Sequence, residues 1–124
     1  RLKEDPPLGT EVKPLKEFKG RWLVVVIDRC TDCVVGKLKL WSEIAKRRGI
    51  PKLLVVTSDE FERAKKAIDS YQVEAEIVID SKGVVAKALH AFFTPRAYIV
   101  EDGRIIWKQD ELELVPTKYL RGDE

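Results

Sequence analysis

The chain has two cysteines, Cys30 and Cys33, set within Asp28-Arg29-Cys30-Thr31-Asp32-Cys33-Val34. Thiols at this spacing can close a small disulfide, supply half of a metal site, or pass electrons as a dithiol–disulfide pair. A bridge here encloses about four residues and on loop-entropy grounds contributes roughly 2 kcal/mol, against about 3 for a loop of about fifteen. A closed zinc site takes four Cys or His ligands, and this chain adds only His90 to the pair. A zinc or copper module built on Cys30, Cys33 and His90 is therefore the alternative to redox exchange, and a closed site would need a ligand from a partner chain.

The surrounding elements bear on that choice. Residues 22–27 (Trp22-Leu23-Val24-Val25-Val26-Ile27) form an apolar, β-branched run without alternation, the pattern of a strand covered on both faces. Behind the cysteines, Val34, Leu38, Trp41, Ile44 and Ala45 recur at helical spacing, and Gly49-Ile50-Pro51 ends that helix. The pair thus joins a buried strand to the first turn of a helix, where unpaired backbone N–H groups and the helix dipole stabilise a thiolate. Arg29 acts in the same direction and Asp32 against it. On this placement Cys30 is the exposed nucleophile, and Cys33, deeper in the helix and shielded by Val34, resolves the mixed disulfide.

Further along, Leu53-Leu54-Val55-Val56-Thr57 and Ile77-Val78-Ile79 read as two more buried strands. Between them a helix is expected through about Ser70, capped by Ser58 or Asp59, with Asp59 and Glu62 as a capping box and Phe61, Ala64, Ala67 and Ile68 on its apolar side. Asp80-Ser81-Lys82-Gly83 is a turn into a short helix carrying Val84, Val85, Ala88 and Leu89. Residues 97–100 and 105–107 flank Asp102-Gly103 as a hairpin. A terminal helix is expected over residues 112–120, with Pro116 near its start, and residues 1–9 read as an extended tail. The order β-α-β-α-β-α-β-β-α predicts a single α/β domain over residues 10–124, with a mixed central sheet between helices.

Composition narrows the class further. The chain has 124 residues, 44% hydrophobic and 35% charged, and its 23 basic residues against 21 acidic ones leave +2, with the two signs interspersed. No basic patch marks a nucleic-acid surface, and no apolar run reaches the roughly 18 residues of a membrane span. Met and Asn are absent and Lys, Arg and Glu abundant, a bias that fits a thermophilic habitat. The first residue is Arg1 rather than Met, so a signal peptide, an anchor or a choice made in cloning is expected to have removed what preceded it.

Several motifs in order resemble the thioredoxin-like superfamily, and within it the TlpA/ResA-like redoxins. The resemblance covers residues 15–107. It rests on Leu15-Lys16-Glu17-Phe18-Lys19-Gly20-Arg21-Trp22 before the first strand, the Cys30-Thr31-Asp32-Cys33 pair, Tyr71-Gln72-Val73, Ile77-Val78-Ile79-Asp80 with Gly83, Thr94-Pro95, and the closing Tyr98-Ile99-Val100-Glu101-Asp102-Gly103-Arg104-Ile105. It implies a three-layer α/β/α sandwich and thiol–disulfide exchange with a protein disulfide or dithiol. An upstream redox protein would act as second partner, the chain being a monomer that needs no cofactor and works outside the cytoplasm, periplasmic or membrane-tethered. It also implies that Pro95 is cis and that Thr94 and Pro95 present backbone groups to an extended substrate segment. Asp59 matches an acidic residue under the active site that could relay a proton to Cys33, with Asp28 as its rival.

The chain departs from the family where an aromatic residue usually precedes the first cysteine and a proline the second: Arg29 and Asp32 stand there. The dipeptide Thr31-Asp32 therefore bears on the redox potential. The copper chaperones of the Sco type, which resemble this chain in part, space their cysteines by three residues instead of two. A peroxidatic cysteine would want Thr where Ile27 stands.

Overall fold

The computed structural model describes residues 4–110. Five strands and three α-helices follow one another as β1 (Arg21–Val26), α1 (Thr31–Arg47), β2 (Lys52–Thr57), α2 (Phe61–Ser70), β3 (Glu76–Ile79), α3 (Val84–Ala88), β4 (Arg96–Glu101) and β5 (Arg104–Lys108). They form one sheet of order β3-β2-β1-β4-β5. β1 pairs in parallel with β2, and β2 with β3, while β4 runs antiparallel to both β1 and β5. The mixed sheet and the helices on its two faces are a thioredoxin-like α/β fold. The terminal helix expected over residues 112–120 lies outside the described residues.

Successive side chains of a strand point to opposite faces, so a strand buried on both faces must feed two cores. Leu23, Val25 and Ile27 of the β1 segment pack with Val35, Leu38, Trp41 and Ala45 of α1 and Ile68 of α2. Val24 and Val26 pack instead with Val85 and Leu89 of the α3 region and with Val12 and Leu15. β2 divides in the same way, Leu53 and Val55 to one side and Leu54 and Val56 to the other. A register shift between Ile99 and Val100 in the β4–β5 pairing lets Ile106 and Trp107 both reach the α1 side.

Each helix stops by the same device. After α1 the N–H of Ile50 bonds to Ala45 O at 2.8 Å and that of Gly49 to Lys46 O at 3.1 Å, with Gly49 at φ +83°. This is the Schellman arrangement, in which a left-handed residue frees the chain to satisfy the last carbonyls. α2 ends likewise, but the left-handed position belongs to Gln72 (φ 57°), and at the end of α3 it belongs to His90 (φ 55°). The bonds Val73 N–H to Ile68 O and Ala91 N–H to Ala86 O close those turns at 3.1 and 2.9 Å.

Two expectations for α2 are corrected. Its first residue is Phe61 with Glu60 at the cap position and no side-chain cap, because the Asp59 carboxylate is engaged elsewhere. Phe61 is exposed, since Ala64, Ala67 and Ile68 already fill the buried side. At the other end of the sheet, Val12 N–H donates to Gly103 O and Gly9 N–H to Ile105 O, both at 2.7 Å. Residues 9–12 thus cover the outer edge of β5, an edge that would otherwise be open to pairing. No helix among the described residues is long and apolar enough to cross a membrane.

Candidate active site

β1 runs out at Val26, and its partner β4, running the other way, begins at Arg96 directly opposite it. The antiparallel register therefore brings the residues just after β1 together with those just before β4. On one side stand Asp28, Arg29 and Cys30, on the other Thr94 and Pro95. The peptide bond between Thr94 and Pro95 is cis, as the resemblance implied. Thr94 Oγ1 donates to Asp28 Oδ2 at 3.0 Å and ties the two segments.

Cys30 and Cys33 form a disulfide, with their Cα atoms 5.3 Å apart. Cys30 is the cap residue of α1 and Cys33 lies in the first turn. Both residues are exposed, which corrects the expectation that Cys33 is shielded. Val35 and, in part, Val34 turn toward the α1 core, and the helical period carries Cys33 round to the solvent side. Arg29 and Asp32 are exposed as well.

Thr31, between the cysteines, is fully buried and is the anchor of the turn. Its hydroxyl donates to Asp59 Oδ2 at 2.9 Å and its N–H to the same oxygen at 3.3 Å. Asp59 sits just past β2 with 3% exposure, and its Oδ1 accepts the Glu60 N–H at 2.8 Å. The carboxylate therefore caps α1 across the sheet. Burial alone would raise its pKa, but the bonds from Glu60 and Thr31 and the Arg63 guanidinium 3.7 Å away outweigh that and hold it below the ordinary carboxylate value. The ionised carboxylate therefore stands against the first N–H of α1, beside the cysteine turn. Asp28, the rival, is exposed and bound to Thr94.

The backbone around these groups is closed by Thr57. Its hydroxyl donates to Asp28 O at 2.6 Å and accepts the Asp59 N–H at 3.0 Å. A cleft of about 300 Å³ opens alongside, bordered by Asp28, Ser58, Lys82 and Thr94. A second, of about 610 Å³, lies by Phe61, Lys65, Asp69 and Ile77 and includes none of Asp28, Cys30, Thr31, Cys33, Asp59, Thr94 or Pro95.

The metal reading gains no support. Among the described residues no three His, Cys, Asp or Glu side chains group as metal ligands. His90 ends α3 in the left-handed conformation, with its Nε2 3.8 Å from Glu4 and its ring against Phe92.

Sequence reasoning missed Arg96, which follows the cis proline and is completely buried. The resemblance placed Thr94-Pro95 but said nothing of the next residue, and an arginine at a strand start reads as exposed.

No family model and no curated protein matches this chain. Solved structures do. A hypothetical protein from Sinorhizobium meliloti superposes with a TM-score of 0.65 at 15% identity, over 93% of this chain and 76% of that one. The thioredoxin domain of a thiol–disulfide oxidoreductase from Bacteroides vulgatus gives 0.55 at 22%, over 84% and 83%. StoA from Bacillus subtilis gives 0.53 at 19%, over 83% and 85%. At these identities the likeness establishes the thioredoxin-like fold.

Proposed function

We propose that this chain is a thiol–disulfide oxidoreductase that exchanges disulfides with a protein partner. The observation carrying this reading is the exposed Cys30–Cys33 disulfide at the start of α1, at the end of the sheet where the β1–β4 register and the Thr94–Asp28 bond bring in the cis Thr94-Pro95 bend. In the reducing direction the Cys30 thiolate attacks a partner disulfide, a Cys30–partner bond forms and one partner thiolate leaves. Cys33 then gives up its proton and attacks Cys30 Sγ. The intramolecular disulfide closes, the second partner thiolate leaves, and two electrons have passed to the partner. An upstream dithiol protein returns the pair to its reduced form. Thr94 and Pro95 hold the extended substrate segment by strand-like pairing beside the disulfide.

Reduction of the partner is the favoured direction. The Asp59 carboxylate at the first N–H of α1 and Asp32 in its first turn both oppose a thiolate there, against the neighbouring cation Arg29 and, at Asp59, Arg63. A reduced form with little extra stabilisation makes a reducing pair. Every group used comes from one chain, so a monomer suffices. The reading includes an extracytoplasmic location, where structural and substrate disulfides persist.

Redox titration with thiol trapping, alongside metal analysis of the purified protein, tests the proposal. Reversible two-electron behaviour and accumulation of mixed disulfides through Cys30 in a Cys33→Ser variant are expected. Copper retained in stoichiometric amount and lost on His90→Ala, or no exchange with any disulfide, would sink it.

A further inference from the structure

Arg96 is bonded on every side of its guanidinium. Nε donates to Gln109 O at 2.9 Å, Nη1 to His90 O at 2.9 Å and to Tyr98 Oη at 3.1 Å. Both terminal nitrogens reach Asp5, at 3.0 Å to Oδ1 and 2.8 Å to Oδ2. The group also lies 5.2 Å from the ring centres of Phe92 and Phe93 and 5.0 Å from that of Tyr98. Asp5 is itself buried, its side chain 2% exposed, and Lys108 approaches it at 3.7 Å while donating to Pro6 O at 2.6 Å. Tyr98 Oη donates in turn to Leu89 O at 2.9 Å.

Three of the groups around Arg96 lie in one segment. His90, Phe92 and Phe93 belong to the segment that leads into Thr94-Pro95, and Arg96 leaves it. The segment has no helix or strand of its own to hold it between α3 and β4. Besides the Ala91–Ala86 and Phe92–His90 backbone bonds and the Thr94–Asp28 tie, it is held through the arginine, and the arginine is held by a carboxylate from residue 5. Bidentate arginine–carboxylate pairs impose direction as well as attraction, and a buried pair is weak evidence of net stabilisation.

Resting on the proposed exchange activity, we infer that Asp5 and Arg96 are a positioning pair: the N-terminal segment clamps the residues before the cis proline and so sets the geometry in which Thr94 and Pro95 receive a polypeptide substrate. The pair touches neither cysteine, so it governs recognition of an extended chain and leaves the sulfur chemistry alone.

The test uses Asp5→Asn, which keeps the shape and loses the charge, and the double variant Asp5→Leu with Arg96→Met, which replaces the buried pair by apolar groups so that neither charge is left alone. Each is compared with the unaltered protein in two reactions. One is equilibration with glutathione, a small thiol that needs no strand-like docking; the other is reduction of insulin, a disulfide-linked polypeptide. The glutathione equilibrium is expected to stay within a factor of about two, while KM for insulin rises at least about threefold with kcat retained, towards the roughly hundredfold that a misplacement of about 1 Å can cause. Faster amide hydrogen exchange over residues 90–95, with α1 unchanged, is expected alongside. Unchanged insulin kinetics in the folded double variant would overturn the inference, as would an equal loss in both reactions. If the unaltered protein exchanges with neither glutathione nor insulin, it is the proposed function that has failed.

Discussion

Asp59 presents an ionised carboxylate to the turn in which Cys30 would carry its own negative charge, and removing it changes one electrostatic quantity at a known place. In Asp59→Asn the side chain keeps an oxygen for the Thr31 hydroxyl, now 2.9 Å away, and loses both the charge and the oxygen that accepts the Glu60 N–H. The Thr31 N–H, next to Cys30, lies 3.3 Å from the carboxylate, which puts the Cys30 sulfur within roughly 8 Å of it, and two like charges at about that separation and an effective dielectric constant of about 20 repel by about 2 kcal/mol. Cys30 is exposed, and solvent screening reduces this to about 1.4 kcal/mol, or about one pKa unit on the thiol. The direction is fixed: the variant thiolate forms more readily, the reduced form gains, and the pair becomes more oxidising.

The size depends on pH, and that dependence is the sharper test. A drop of about one unit in a thiol pKa leaves the reduced form almost unchanged below that pKa and favours it by nearly tenfold well above it, so the gain is expected to be small at pH 7 and to approach that limit at pH 9.5. That limit corresponds to roughly 30 mV for a two-electron couple. Equilibration with glutathione at the two pH values, quenched by acid and read by thiol alkylation, measures both. Thr31→Val is the control, since it removes the hydroxyl bond and leaves the carboxylate; it should lower stability and barely move the equilibrium. An Asp59→Asn shift equal at both pH values, or one toward a more reducing pair, would refute the electrostatic account.

Three further outcomes follow from the packing. Gly103→Ala places a Cβ at φ +81° and 3.1 Å from Lys16 Cα, and should cost about 1–3 kcal/mol in denaturant unfolding; no change would show that the turn relaxes freely. Trp41 is buried with its Nε1 lacking a partner among the described residues, so Trp41→Phe removes an uncompensated N–H and should cost less than about 1.5 kcal/mol, whereas Trp41→Ala should cost about 3–5; equal losses would contradict this. Asp5 and Asp59 are both held below the ordinary carboxylate value of 3.8, Asp5 because the Arg96 bonds and charges outweigh its burial. Their contribution is complete above that value and is lost as pH falls below it toward their folded-state values, so the denaturation midpoint should hold down to about pH 4 and drop by pH 3; a flat profile over that interval would remove both carboxylates from the account.

What could be read from the sequence was what depends on near neighbours in the chain. The apolar run of β1, the helical spacing of Val35, Leu38 and Trp41, and the Asp102-Gly103 turn, with both residues at positive φ, are local patterns with local causes. The Thr94-Pro95 bend was legible through the ordered motifs around it. Asp59 was found but given the wrong partner. A capping box uses residues three apart, whereas this carboxylate reaches Thr31, 28 positions away, because parallel pairing sets the end of β2 beside the end of β1. The ends of α2 and α3 escaped the same kind of reading, since Gln72 and His90 occupy positions where glycine is the usual sign.

The Arg96–Asp5 pair was illegible for a different reason. Among 44 charged residues with alternating signs, the prior for each is a solvated surface, and the two partners stand 91 positions apart. Nothing periodic marks them, because the pairing exists only once residues 9–12 have joined β5 and carried Asp5 back over the start of β4. Burial then makes the two residues interdependent: either charge alone in that pocket lacks the partner that offsets its desolvation, and truncating one leaves the other uncompensated. Single substitutions at position 5 or 96 should therefore be more damaging than the paired apolar replacement. A residue in a segment that reads as a loose tail carries a constraint usually associated with a core position, because its partner follows the proline of the proposed substrate-binding bend.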